Sequence, residues 1–375
     1  MNFTFTDEQQ MLLETTRRFA AKDYDFAHRQ QINQSTNGFS QSVWQGFADL
    51  GLLALTVPEA DGGLGGDAID TMLVMSAMGE ALVLEPYLAS AALASQLIVG
   101  AASEAQRQLL LPQMVGGELV VVPAHEEASS RFDWTAIETT ATATADGFKL
   151  NGKKVLVAHA ANAHFILVTA RMANQTLAIF AVPRDAAGLQ VVSYRTVDGV
   201  CASDVTLNNV MLDTDAQLTA VDDATKLLGA FRSTGIAALC AEATGVLDKL
   251  LAATVTFVRE RQQFGTPIGK FQALQHRLAD MVLHIEQARS MAYLAAVRCT
   301  DTDEALRDTA LSAAKVVIGQ ACRFVGQQAV QLHGGMGVTD ELIVSHYFKR
   351  LMAIELQFGS TDDHLEQYAA QLQAA

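Results

Sequence analysis

The chain has 375 residues, half of them hydrophobic and 18% charged. That composition describes a well-packed globular protein with room for two or three domains, and it excludes a disordered chain. With 41 acidic against 26 basic residues the net charge is -15; no Lys/Arg cluster is long enough for a nucleic-acid surface, so no nucleic-acid partner is expected. Cys201, Cys240, Cys299 and Cys322 are widely spaced, without a CxxC or Cys/His ligand pattern. Reduced thiols, no metal and a cytoplasmic location are therefore expected. The opening Met1–Glu8 lacks the basic segment and apolar core of a secretory signal. No uninterrupted apolar run reaches the roughly 20 residues that span a bilayer, so no membrane partner is expected.

The first third reads as helices. Thr6-Asp7-Glu8-Gln9 is a capping box, in which Thr6 accepts from free backbone N–H groups and Gln9 reaches back. Met11, Leu12 and Phe19 then recur at helical spacing through Ala20. A second helix is expected from Ser40 to Leu50, ending at Gly51. Pro58 to Gly66 holds four glycines in five positions and reads as a loop. Helices resume from about Asp67 to Leu111, with a break near Glu85-Pro86.

The pattern changes near Leu119. Segments 119–123, 138–145, 147–150, 153–158, 164–170, 176–182, 188–194 and 204–210 are short, rich in Val, Thr, Ile and Ala, and often alternating. Asp146-Gly147, Asn151-Gly152 and Asn208-Asn209 read as turns between them, giving a small antiparallel β domain. Helical periodicity returns from about Asp222, over 223–262, 269–298, 303–334, 340–356 and 361–373. The predicted fold class is α+β: an N-terminal helical domain (1–118), a middle antiparallel β domain (119–222) and a C-terminal four-helix bundle (223–375).

Four motifs stand in order along this frame: Phe5-Thr6-Asp7-Glu8-Gln9, Pro58-Glu59 with Gly62-Gly63-Leu64-Gly65, Arg261-Gln262-Gln263-Phe264-Gly265, and Gln331-Leu332-His333-Gly334-Gly335-Met336-Gly337. Over its whole length the chain resembles the acyl-CoA dehydrogenase family. Within it, Ala238–Ala243, Gln275-His276-Arg277 and Phe358–Leu365 resemble the small subunits of pimeloyl-CoA dehydrogenase-type heteromers. The resemblance implies an FAD-dependent flavoprotein of fatty acid and lipid degradation that dehydrogenates an acyl-CoA thioester at its α,β carbons. It also implies a homologous dehydrogenase subunit as partner, in a homodimer or heterotetramer, and electron-transfer flavoprotein as electron acceptor.

For the cofactor, Arg261, Gln263, Phe264, Gln331, Gly335 and Thr361 match the family's FAD contacts. Arg261 offers planar donors suited to phosphate oxygens. The ring-holding strands depart from the family pattern. His125-Glu126-Glu127-Ala128-Ser129-Ser130-Arg131-Phe132-Asp133 replaces the first, and Glu126 and Glu127 place negative charge near the ring unless they turn to solvent. Lys154-Val155-Leu156-Val157-Ala158-His159 replaces the second and lacks its Trp and Thr.

The family's base is missing from both of its usual positions. Gly359 stands at one and Phe231, just before the matching Arg232, at the other. Asp362, Glu242 and Arg232 are the candidates that remain for a catalytic role, with Asp363 beside the first of them. The aspartates are expected to cap the last helix. Glu242, about 15 Å along the helix from Arg232, is expected in a buried polar contact or a subunit salt bridge. Three alternatives follow: a dehydrogenase subunit of a heteromer, a catalytically silent partner lending half an FAD site, or a homomeric flavoprotein in which a different acid serves as base. Gly359→Glu is expected to restore some activity if the rest of the site is sound. His333 is placed to face the cofactor, and Lys349-Arg350 reads as a solvated face.

Overall fold

A computed structural model describes residues 4–218 and 222–374. Residues 1–3, where the segment read for a targeting signal begins, and 219–221, near the end of the expected middle domain, lie outside it.

The first third folds as α1 (Asp7–Asp23), α2 (Phe26–Gln34), α3 (Gln41–Asp49), α4 (Ala68–Ala81), a π-helical segment Tyr87–Ala94, α5 (Ser95–Ala101) and α6 (Glu104–Val115). The capping box is formed: Gln9 N–H donates to Thr6 Oγ1 and Thr6 N–H to Gln9 Oε1, both at 3.2 Å. α3 buries Val43, Trp44 and Phe47 on one face, and Gly51, at φ +74°, turns the chain out of it. α2 lies in a stretch with little apolar periodicity, so no local signal announces it. The break at Glu85-Pro86 leads into the π segment, whose wider turn leaves carbonyls to be satisfied from outside. Thr56 Oγ1 donates to one of them, Ala91 O, at 2.8 Å.

The middle of the chain supplies β1 (Val121–Ala124), β2 (Thr140–Ala143), β3 (Gly147–Ala158), β4 (Phe165–Met172), β5 (Leu177–Pro183), β6 (Leu189–Arg195) and β7 (Cys201–Asp213). They form one sheet in the order β1-β4-β2-β3-β7-β6, with β5 on the other edge of β4. The β2–β3, β3–β7, β6–β7 and β4–β5 pairs are antiparallel. β4 pairs in parallel with β1 and, at its far end, with β2. Those two pairings join strands distant in sequence, so no turn signal reports them. Asn151-Gly152 and Asn208-Asn209, read above as turns, lie inside β3 and β7. The register shift after Leu150 is a bulge: Asn209 takes φ +51°, and its N–H donates to Asn151 Oδ1 at 2.8 Å.

The last part of the chain forms α7 (Thr225–Glu260), a short hairpin of β8 (Gln262–Gln263) and β9 (Thr266–Pro267), α8 (Gln272–Arg298), α9 (Glu304–His333), α10 (Ile343–Leu356) and α11 (Thr361–Ala374). Asp303 caps α9, its Oδ1 accepting from Ala305 and Leu306 N–H.

Two compact units result. One gathers the chain up to Arg29, Ala68–Val83 and Ser233 onward; the other gathers Gln30–Asp67 and Leu84–Arg232. The helical unit has a core of residues such as Leu239, Leu250, Ile285, Ile318, Val325 and Leu351. Each is worth roughly 1.5–3 kcal/mol on burial. Inside it α4 crosses α7 at Gly79 and Gly245, where an added Cβ would overlap the Glu242 and Ser76 carbonyls. The sheet-containing unit buries Leu150, Ile166, Val168, Phe180, Val182 and Val205. Among the described residues no helix is long and apolar enough to cross a membrane, and no group of three His, Cys, Asp or Glu is placed to hold a metal ion. All four cysteines are free and buried, and burial pushes the Cys240 and Cys322 thiols up to about 12.

Candidate functional site

The helical unit presents the two late signatures at neighbouring helix ends. After α7 stops, Arg261 N–H donates to Phe257 O at 2.8 Å, and β8 and β9 fold back on each other. Phe264 and Gly265 form the tip of this hairpin, at φ +54° and +73°. Phe264 is 92% exposed, and Arg261 and Gln263 are exposed beside it. The Phe264 ring meets that of Phe271 edge-on at 6.1 Å, a contact that leaves nearly all of its apolar surface bare.

At the end of α9, Gln331 is exposed and His333 is buried. The His333 ring stacks on Phe257 at 4.3 Å and its Nδ1–H donates to Ala329 O at 2.8 Å. Phe257 lies one turn before Arg261, so this stack ties the Arg261 hairpin to the Gln331–Gly335 segment. His333 thus acts as the tie beneath the signature and does not face outward. A Cβ on Gly334 or Gly335 would meet nothing within 4 Å. An exposed guanidinium beside glycine backbone that any ligand can approach suits phosphate oxygens, so these residues fit a dinucleotide diphosphate.

The sheet-containing unit holds the two segments expected on the ring side, and it pairs Glu127 internally. Glu127 is buried, and its carboxylate accepts from Lys154 Nζ at 2.7 Å and from the Glu138 and Thr139 N–H groups. Burial opposes the ionised Glu127, yet the Lys154 ammonium and these donors outweigh it and hold its carboxyl below the usual range. Burial brings Lys154 down to about 8. The pair therefore staples two backbone segments together and adds no bare charge. Glu126 is half-buried, and desolvation raises it to about 7. His125 donates Nε2–H to Trp134 O at 3.0 Å, accepts at Nδ1 from Thr169 Oγ1, and stacks on the Trp134 ring at 4.4 Å. Burial lowers it to about 3, so it is neutral. Leu156, where the resemblance led to the expectation of a Trp, is 55% exposed.

Phe231 is 3% exposed and its ring lies 5.6 Å from that of Trp134; it is an aromatic packing position. Arg232 beside it is half-buried. In the helical unit Gly359 takes φ +113°. A Cβ there would lie 2.7 Å from both Asp363 Oδ2 and His364 Nε2. The side-chain direction at 359 therefore runs into α11, which disfavours the Gly359→Glu repair expected from the motif. Glu242 is buried and grasped by Arg350. Arg350 is accordingly no part of a solvated face, while Lys349 pairs with Asp340. Asp362 is exposed in the first turn of α11. Both aspartates stand in that first turn; Ser360 Oγ accepts from Asp363 N–H at 3.2 Å, and Asp363 Oδ2 accepts from Gln367. Thr361 is 8% exposed and its Oγ1 has no hydrogen-bond partner among the described residues.

Motif reading did not find Trp134 or the Lys154–Glu127, Lys315 and Arg350 contacts. A lysine amid the apolar alternation of β3 was the one available signal, since buried lysine requires a partner.

Helices at both ends of the chain, a β domain between them and an open Arg–Phe–Gly hairpin define the scaffold of a flavoprotein dehydrogenase. The chain matches the acyl-CoA dehydrogenase N-terminal domain over residues 6–118, the middle domain over 124–210 and the C-terminal domain over 234–373. It belongs to the acyl-CoA dehydrogenase family, whose cofactor is FAD. It is 29% identical to YngJ, a probable acyl-CoA dehydrogenase of Bacillus subtilis, over 96% of this chain and 97% of that one. It is 26% identical to the human mitochondrial short-chain specific acyl-CoA dehydrogenase, over 95% and 88%. The ChsE4-ChsE5 complex of Mycobacterium tuberculosis contains a chain that superposes with a TM-score of 0.88 at 25% identity, covering all of both chains.

Proposed function

We propose that this chain is one subunit of a heteromeric FAD-dependent acyl-CoA dehydrogenase of the pimeloyl-CoA type, lending the diphosphate half of a flavin site to a homologous partner. The observation that carries this reading is the exposed Phe264 at the tip of the Arg261–Gly265 hairpin, a surface built to be covered. The complex of two named proteins among the similar structures is in keeping with it. Arg261 and the Gly334-Gly335 backbone would hold the phosphates, with Gln263, Gln331 and Thr361 as further contacts and Phe264 packing alongside. FAD supplies the hydride acceptor for α,β-dehydrogenation of the thioester, and electron-transfer flavoprotein takes the electrons onward.

Proton abstraction is assigned to the partner subunit. Gly359 has no side chain and a backbone that disfavours one, Phe231 is apolar and packed, and Glu242 is engaged by Arg350. The test is purification alone and after co-expression with the neighbouring gene's product, reading flavin absorbance and its bleaching by an acyl-CoA. Flavin that appears only in the co-purified complex, and bleaches there, is expected. A lone chain that is yellow and bleaches sinks the silent-base assignment; absence of flavin from both preparations sinks the cofactor role.

A further inference from the structure

The turn between α10 and α11 is held in a conformation that side chains avoid. Phe358 takes φ +58° and Gly359 +113°. Such backbone persists only where its surroundings over-determine it, and here they do so from α7, α9, α10 and α11. Lys315 of α9 is 1% exposed, and its Nζ donates to Ile354 O (2.8 Å), Glu355 O (3.3 Å) and Gln357 O (2.8 Å). A buried cation thus closes the carbonyl end of α10, where helix carbonyls are unpaired and the dipole favours positive charge. His364 of α11 is fully buried; its Nε2–H donates to Phe358 O at 3.0 Å and its Nδ1 accepts from Ser312 Oγ at 3.3 Å. Glu355 Oε1 accepts the Thr361 N–H at 3.1 Å and an Arg323 N–H at 3.2 Å. The Phe358 ring rests on Gly235 of α7, where any Cβ would overlap it.

We propose that Lys315 and His364 are positioning residues that lock the Phe358–Gly359 turn and thereby hold Thr361 in register for the cofactor. The part concerning Thr361 rests on the FAD reading above. Two physical arguments separate this from ordinary packing. A buried ammonium is a poor device for stability alone, since apolar replacements of buried charged groups are often neutral or stabilising. And Thr361 is tied to that turn, its N–H donating to Glu355 Oε1 and its hydroxyl packed over Gly319, so a displacement of the turn displaces Thr361 with it.

The test uses Lys315→Met and His364→Leu, each removing a donor on a different helix, in the full chain together with its co-purified partner. FAD affinity is titrated at a temperature where far-UV circular dichroism reports full folding, and amide exchange is followed along the chain. Each variant is expected to weaken FAD binding at least about tenfold and to speed exchange at residues 358–361 at least about tenfold. Exchange within α7 is expected to stay at the wild-type rate, and the double variant to be no worse than the worse single one, because both act through one turn. Unchanged exchange at 358–361, unchanged FAD affinity, additive effects or loss of protection spread over all helices would each overturn the lock. If Lys315→Met does not fold, His364→Leu alone decides it. Wild-type complex that takes no FAD overturns the cofactor reading, and the exchange measurements then decide the lock separately.

Discussion

Arg350 of α10 grips Glu242 of α7, its Nε and Nη2 lying 2.5 and 2.6 Å from the two carboxylate oxygens. Both side chains are nearly out of solvent, at 11% and 7% exposure. A two-pronged, buried guanidinium–carboxylate contact is strong as a pair and costly to break on one side. Glu242→Gln is expected to lower unfolding stability by about 3 kcal/mol and to leave flavin content unchanged, as read by urea denaturation and flavin absorbance. Replacing both partners, Glu242→Leu with Arg350→Met, is expected to recover most of that loss. A drop in turnover at full stability and flavin content would instead mark Glu242 as a participant in the chemistry.

At Gly359 the backbone argues against the repair its motif suggests. At φ +113° an L residue is strained, and its Cβ would press on Asp363 and His364. Gly359→Ala is expected to cost about 1–3 kcal/mol from the backbone alone, and Gly359→Glu more, with no gain in activity. Thermal unfolding and acyl-CoA turnover of the two variants check this. Turnover gained by the Glu variant at wild-type stability would show that the turn rebuilds itself.

The order of helices, strands and helices was legible because capping at Thr6, periodicity in α1 and α3 and the alternation from Leu119 onward are local signals. The parallel β1–β4 pair and the bulge at Asn151 and Asn209 were not, because they are settled between strands distant in sequence. The β8–β9 hairpin was visible as a motif, since Arg261, Phe264 and Gly265 sit within five residues. The groups around the ring-side segments and the α10–α11 turn were not visible. Lys154 meets Glu127, Lys315 meets the end of α10, and Arg350 meets Glu242 only through folding, and a charged residue in a helical sequence reads as solvated until its partner is known. The glycine at 359 was readable, but the direction a side chain would take there needed the backbone.

The hairpin separates binding from stability. Arg261 and Phe264 are exposed, so removing either leaves the core untouched. Arg261→Ala is expected to lose FAD retention, and Phe264→Ser to weaken association with the partner, both with circular dichroism and unfolding midpoint within about 0.5 kcal/mol of wild type, as for surface substitutions generally. Flavin absorbance after gel filtration and the elution volume of the complex report the two effects. Retained flavin in the Arg261 variant would remove the diphosphate assignment.

His159 gives the sheet-containing unit a defined acid sensitivity. The residue is 1% exposed; its Nε2–H donates to Leu84 O at 2.7 Å and its Nδ1 accepts from Asn162 Nδ2 at 3.1 Å. Burial, the dominant cause, lowers it from 6.5 to about 4. The native state therefore keeps the ring neutral in a range where the unfolded chain takes up a proton. Where the unfolded state binds more protons, stability rises with pH. This contribution is complete above the unfolded value of 6.5 and falls away as pH drops from there toward 4, below which both states are protonated. Between pH 7 and pH 5 the loss from this one residue is about 2 kcal/mol. His159→Gln has no proton to bind, so its stability is expected to be lower at pH 7 but to fall less steeply on going to pH 5. Urea midpoints of both proteins at the two pH values measure the difference in slope, and parallel lines would show that His159 is already charged in the native state or is not buried as described.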